Sequence, residues 1–364
     1  MASTEDTDAS REPVSTGKPA STNKTADAKA PDLGDVVNWG EFEEEFGGSS
    51  ADKFDAAALA ALLKKKVIGQ DKVADQVTSQ LKRRLAQVKL SKRTKAKVEK
   101  PLGVFLLAGP PGVGKTYFCK VLAENMYDGK GRLLTIDMTQ MDQAHNKASL
   151  IGSPQGYVGG GGMLTNALQQ NPKYIVLLDE FEKAHADVQK AFLTAWNDGF
   201  ITDARSQRQV STTQALFMLT TNAAMERLVE IEQSFKDDPD TRDRSILEAL
   251  KQAGYAAEVL SRIDYVFVFD QLDNSGMARV AALEIQLLAK KYALTVAKID
   301  TDYLIFLISK AGAFESGGAR QLARVLERQL GDQMMDAQAD GAEFVRISLV
   351  EEKPFVRAIK VNNE

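Results

Sequence analysis

Eight consecutive residues carry the strongest chemical signal in the chain: Gly109, Pro110, Pro111, Gly112, Val113, Gly114, Lys115 and Thr116, in the pattern G-x-x-x-x-G-K-T. Glycines in such a run let backbone N–H groups turn inward around a polyphosphate. A helix that follows adds the positive end of its dipole, and the lysine neutralises the β and γ phosphates. The adjacent Thr116 is a ligand type for Mg²⁺. The run comes directly after the apolar segment 104–108 and opens a stretch with helical spacing, the context this chemistry needs. Further on, the apolar run from Tyr174 ends in Asp179-Glu180. At the carboxyl end of a strand, Asp179 suits Mg²⁺ held through water, and Glu180 suits polarising an attacking water. ATP and Mg²⁺ are the implied cofactors, and the glutamate points to hydrolysis beyond simple binding.

Other chemistries lack their residues. Cys119 is the one cysteine and His145 and His185 the two histidines, so an intramolecular disulfide and a Cys/His zinc set are both out of reach. His145 has no Ser or Cys nucleophile motif beside it, His185 reads as a helix-packing residue, and Cys119 reads as a small buried hydrophobe. The composition is 44% hydrophobic and 26% charged with net charge −4, which carries no global signature of a nucleic-acid binder. No apolar run approaches the roughly 18 residues of a membrane span, and Met1 to Ala30 is polar without a signal-peptide apolar region. A cytoplasmic protein without a membrane span is expected.

These groups need a scaffold. Val104–Ala108, Leu133–Ile136, Tyr174–Leu178, Ala215–Leu219 and Tyr265–Phe269 read as five buried strands with helices between them, an α/β fold with a parallel sheet. Apolar spacing predicts helices over 53–65 and 71–89. Beyond Asp270 it predicts helices over 275–292, 301–312 and 318–338, then strands over 343–350 and 354–361. The expected division is a tail over 1–50, a large nucleotide-binding domain over 51–270 and a smaller, mainly helical domain over 271–364. The first 33 residues are too poor in large side chains to offset their ordering entropy and read as disordered. Within the tail, Val36–Phe46 (VVNWGEFEEEF) spaces Trp39, Phe42 and Phe46 three to four apart among acids. It is either an anchor on the protein's own surface or a docking motif for an adaptor. Between Lys82 and Lys100, nine Lys or Arg stand against the single acid Glu99. Without interleaved aromatics this stretch reads first as a solvated face or an acidic-partner patch, and second as a nucleic-acid contact.

Several motifs occur in one order: Val67-Ile68-Gly69-Gln70, the glycine-rich loop, Ile136-Asp137-Met138, Gly156-Tyr157-Val158-Gly159, LLDEFEKAH over 177–185, Thr220-Thr221-Asn222, Ser261-Arg262-Ile263-Asp264 and Gly318-Ala319-Arg320. In this order the chain resembles the Clp-type AAA+ ATPases, in particular the second ATPase module of ClpB and ClpA, over residues 60–350. The resemblance implies an AAA+ P-loop domain with a helical lid. It makes Val67 and Ile68 the base pocket, Asn222 the first sensor, Arg262 an arginine finger reaching a neighbouring subunit, and Arg320 the second sensor. Both arginines make physical sense, since planar, always-charged donors suit the charge on a transferring phosphoryl group. Taken alone, Gly156–Gly159 reads as a turn with a packed tyrosine. The resemblance instead makes it a pore loop whose Tyr157, with Val158 beside it, grips polypeptide, and places a second pore loop over Thr202–Ser211.

The chain also departs from that pattern. It holds one ATPase module. Between Asn222 and Arg262 it lacks the Ile-Gly-Leu or Ile-Gly-Phe tripeptide of peptidase-associated members, which argues against a Clp-type peptidase as partner. Ser261 replaces the usual asparagine before the finger, and the second pore-loop segment lacks its usual glycines. The leading expectation is a ring, a hexamer by resemblance, that threads a protein client through its pore. The alternatives are an ATP-switched scaffold and, more weakly, a nucleic-acid-associated ATPase.

Overall fold

The middle of the central sheet is built from runs that are mostly apolar, because both of its faces are covered there. The computed structural model describes residues 54–126, 132–154, 156, 160–309 and 318–359. Its main strands are β1 Gly103–Ala108, β2 Leu133–Asp137, β3 Ile175–Asp179, β6 Leu216–Thr221 and β7 Tyr265–Val268; β4 Phe200–Thr202 and β5 Gln209–Ser211 form a separate hairpin. The sheet order is β2-β3-β6-β1-β7, and every neighbouring pair is parallel. All five strands lie within two residues of the predicted segments.

Alternation in β1 shows how the two faces are filled. Val104, Leu106 and Ala108 enter one core, and Phe105 and Leu107 the other. The longer helices are α1 Ala56–Lys66, α2 Asp71–Thr94, α3 Lys115–Asn125, α4 Met163–Gln170, α5 Met225–Ser234, α6 Pro239–Gln252, α7 Asn274–Lys291, α8 Thr301–Ser309 and α9 Gly318–Ala339. Helices α1, α2 and α3 cover the Phe105 face with Leu63, Val77, Leu81 and Phe118. The opposite face takes Leu164 and Leu168 of α4, and a ring cluster of Phe181, Phe192, Trp196 and Phe217. Asp55 starts α1 by accepting from the Ala58 N–H at 2.9 Å, and Lys64, Lys65 and Lys66 end it where the helix dipole favours cations.

A third core lies in the C-terminal region, where Ile285 of α7, Tyr303 of α8 and Leu330 of α9 meet Val345 and Ile347. Its sheet has the order β10-β9-β8, with β8 Thr295–Ile299 parallel to β9 Phe344–Val350, and β10 Lys353–Ile359 antiparallel to β9. The sequence reading anticipated β9 and β10 but not β8, whose five residues are mostly exposed and carry little apolar signal. It also missed the β4–β5 hairpin. Cys119 is buried as expected. His185 instead caps the short helix 186–190, its Nδ1 accepting from the Asp187 N–H at 3.2 Å. The acidic-aromatic segment 36–46 lies outside the described residues.

Buried Gln70 ties the turn after α1 to the end of β7: its side-chain amide donates to the Asp270 carbonyl at 2.9 Å and accepts from the Asp270 N–H at 3.1 Å. Replacing Gln70 with Leu leaves both Asp270 groups without their partner. The expected cost is about 1–3 kcal/mol, read as a lower urea midpoint at unchanged m-value.

Candidate nucleotide site

Because β3, β6 and β1 are neighbours and run the same way, the residues that follow them share one mouth. Gly109 leaves β1 at φ +149°, and a Cβ there would sit 2.8 Å from the Phe269 carbonyl oxygen, so the turn into the loop accepts glycine alone. The loop then enters α3 through Gly114, at φ +99°. Lys115 is 7% exposed. Its ammonium donates to the carbonyls of Gly109 at 2.6 Å and Pro110 at 2.8 Å, and to Oδ1 of Asn222 at 2.7 Å. Burial lowers its pKa to about 8, against the opposing pull of Glu182, Asp179 and Glu180.

Asp179 ends β3 beside Thr116. The Thr116 hydroxyl donates to Oδ1 at 3.2 Å and Oδ2 at 3.3 Å, and the Thr220 hydroxyl donates to Oδ1 at 2.5 Å. This is a set of hydroxyl and carboxylate oxygens next to a phosphate-binding loop, and its hard donors fit Mg²⁺. Glu180 stands in the left-handed region at φ 56°, ψ 52°, a strained conformation for a residue with a Cβ. Its N–H donates to the Thr220 hydroxyl at 3.0 Å, so Thr220 holds both acids in place.

The sequence reading named Asp179, Glu180 and Asn222 but passed over the two residues that support them. Thr220 was visible within Thr220-Thr221-Asn222, yet only β6 lying against β3 gives it a role. Glu182 accepts from the Asn222 N–H at 3.1 Å, while its second oxygen is buried without a hydrogen-bond partner among the described residues.

A cavity of about 800 Å³ extends from the loop towards the C-terminal region. Val67 and Ile68 line it together with Leu272, Val280, Leu283 and Leu287, an apolar end suited to a base. Pro111 through Thr116, Asp179, Glu180 and Asn222 line the polar end. Arg320 falls in the first turn of α9, and its side chain is outside the described set. Arg324 and Arg328, one and two turns along α9, line the same cavity. The sequence reading missed these two, although their spacing of four and eight from Arg320 is a helix-face signal.

Among the described residues, neither Arg262 nor Gly156 of the predicted pore loop lines this cavity. Arg262 precedes β7, whose Tyr265 pairs with Phe105, so it sits at the amino end of the sheet. It is exposed and has no side-chain hydrogen-bond or ion-pair partner among the described residues. Of the predicted pore loop, Gly156 is described, exposed and at φ +91°, whereas Tyr157, Val158 and Gly159 lie outside the described residues. The stem closes with the Ser153 N–H donating to the Gly160 carbonyl at 3.3 Å. The segment 202–211 is the β4–β5 hairpin, tied to the stem where the Ala204 N–H donates to the Ile151 carbonyl at 2.7 Å. Buried Asp203 accepts from the Thr165 hydroxyl at 2.6 Å and the Ser206 N–H at 2.7 Å; these donors outweigh burial and hold its pKa below the ordinary carboxylate value.

Residues 100–266 match the AAA domain (Cdc48 subfamily) profile. The chaperone protein ClpB of Rhodopirellula baltica is 34% identical over 278 residues, which is 76% of this chain and 30% of that protein. The ATP-dependent Clp protease ATP-binding subunit ClpE of Bacillus subtilis is 34% identical over 307 residues, 82% of this chain and 42% of that protein. The ClpB of Streptomyces albus G is 32% identical over 301 residues, 81% and 33% of the two chains. The chain belongs to the Clp-type AAA+ ATPases. Membership brings ATP binding, with ATP hydrolysis as the family's chemistry. This Clp-type chain holds one ATPase module and spans between about a third and two fifths of the length of these relatives. Among the described residues no helix is long and apolar enough to cross a membrane.

Two outcomes are expected of the site. Lys115 attracts phosphate only while charged, so kcat/KM for ATP falls as pH rises through about 8. In Glu182→Gln, which removes the largest charge raising that pKa, the fall begins at lower pH; matching profiles would contradict the assignment. Arg324→Ala and Arg328→Ala are each expected to weaken ATP binding about 3- to 10-fold, measured by titration calorimetry.

Proposed function

We propose that this chain is a ring-forming, Mg²⁺-dependent ATPase that couples hydrolysis to pulling a protein segment through a central pore. The observation that carries the ring is the separation of Arg262 from its own site. From the level of Val104 to Gly109, five residues of strand span about 17 Å, farther than an arginine side chain reaches. Arg262 therefore serves a phosphate only if a second subunit brings one to it. A head-to-tail contact of this kind closes into a ring when the rotation between copies permits, and the family resemblance favours six.

Within one site the proposed roles draw on the geometry for Lys115, Thr116, Asp179 and Glu180, and on the family resemblance for Asn222, Arg262 and Arg320. Lys115 and the loop N–H groups hold the β and γ phosphates. Thr116 and Asp179 would hold Mg²⁺, which supplies charge neutralisation when bound. Glu180 orients and polarises a water for in-line attack on the γ phosphorus. As the new P–O bond forms, the bond to the bridging oxygen breaks, that oxygen leaves on ADP with the electron pair, and the water's proton passes to the phosphate product. Asn222 positions the water, and Arg262 from the neighbour and Arg320 meet the charge that develops on the phosphoryl oxygens. Residues from 271 onward act as a lid: α7 and α9 line the cavity, so loss of the γ phosphate changes what they close upon. Tyr157 is the substrate-gripping residue and a protein the client. An adaptor contact through 36–46 belongs to the same reading.

The test is a substrate trap. Glu180→Gln should bind ATP and assemble while losing hydrolysis about 100-fold or more, leaving the client in the pore. Complexes formed with ATP are recovered from native lysate and compared with Glu180→Gln/Tyr157→Ala. Proteins enriched only when Tyr157 is present support threading. The same partners in both would favour an ATP-switched scaffold, and recovered nucleic acid would favour the third class.

A further inference from the structure

We propose that Asp264 is the positioning residue for Arg262, with Arg84 as its charge partner, so that the start of β1 sets where the finger is presented to the next subunit. This rests on the reading of Arg262 as acting in trans. The Asp264 carboxylate accepts from the Val104 N–H at 2.9 Å, and the Asp264 N–H donates back to the Val104 carbonyl at 2.8 Å. Arg84 Nη2 lies 3.3 Å from each carboxylate oxygen. Both side chains are 27% exposed, which leaves the pair partly desolvated and less screened than a surface ion pair.

Arg262 is two residues upstream of this anchor. On its other side the chain is fixed by the short helix Ala257–Leu260, where the Arg262 N–H donates to the Val259 carbonyl at 3.0 Å. The finger therefore projects from a loop pinned at both ends, and Asp264 supplies the pin whose charge pair is the less exposed, since the Glu258–Lys190 pair on the helix stands about half in solvent. Arg84 is rooted on α2, whose neighbouring residues Leu81 and Leu85 pack in the core beneath the sheet. Strand β1 begins beside Asp264 and ends in the nucleotide loop, so one rigid element joins the finger a subunit offers to the site it owns. The pairing also gives one member of the basic stretch 82–100 a specific task.

A purely structural role for Asp264 would predict lost stability alone. Asp264→Asn keeps an acceptor for the Val104 N–H and removes the charge that Arg84 faces. The expected result for this variant is a roughly 10- to 100-fold loss of kcat with KM for ATP within about twofold. The deciding measurement mixes Asp264→Asn with Glu180→Gln in equal amounts. In a head-to-tail ring, half of the subunits carry a working site, and half of those receive a sound finger, so activity returns to about a quarter of the wild-type rate. Arg262→Ala mixed in the same way should match it. Arg84→Ala should behave like Asp264→Asn, and Arg84→Lys should be partly active; this pair decides the question if Asp264→Asn does not fold. Unchanged kcat in Asp264→Asn overturns the proposal. So does recovery in the Arg262→Ala mixture without recovery in the Asp264→Asn mixture, which would mean that Asp264 acts on its own subunit's site. If Arg262→Ala is itself fully active, or gains nothing on mixing, the trans reading fails instead.

Discussion

A lysine ammonium at 7% exposure, at the end of a sheet buried on both faces, has to be compensated, and the surrounding structure is arranged around that need. Two loop carbonyls and the Asn222 side chain take its protons, and the carboxylates of Asp179, Glu180 and Glu182 oppose the desolvation that would neutralise it. Those acids can stand there because β3 delivers them to the same end of the sheet at which β6 delivers Asn222 and β1 the loop. The loop, the paired acids and Asn222 are thus one electrostatic unit, and Thr220 is its hinge pin. The Thr220 hydroxyl accepts the strained Glu180 N–H and donates to Asp179, so the two acids hold a fixed relation.

The parallel sheet gives the chain two chemically different ends. Its carboxyl end gathers the phosphate machinery, and its amino end presents Arg262, anchored through Asp264 and Val104. A phosphate-binding site at one end and an exposed arginine, without a partner among the described residues, at the other are too far apart to meet within one copy. The same separation gives the third core a role. α7 and α9 line the cavity, so part of its wall belongs to a different hydrophobic cluster from the sheet.

The residues themselves determined the phosphate chemistry and the sheet. Glycines, lysine, threonine and paired acids in fixed order have few other uses, and segments apolar on both faces can only be central parallel strands. Asn222, Arg262 and Arg320 came from the order of motifs, not from the chemistry of the isolated residues. Tertiary structure decided what depends on distance across strands: that Thr220 serves Asp179 and Glu180, that Glu182 supports Asn222, that Arg324 and Arg328 face the cavity, and that Arg84 meets Asp264 across 180 residues of chain. Local patterning cannot register such contacts, because hydroxyls and surface charges have the same sequence signature whether they face water or one another. For the same reason β8 and the β4–β5 hairpin escaped the sequence: strand edges with exposed side chains are fixed by their hydrogen-bonded neighbours, and apolar periodicity reports burial alone.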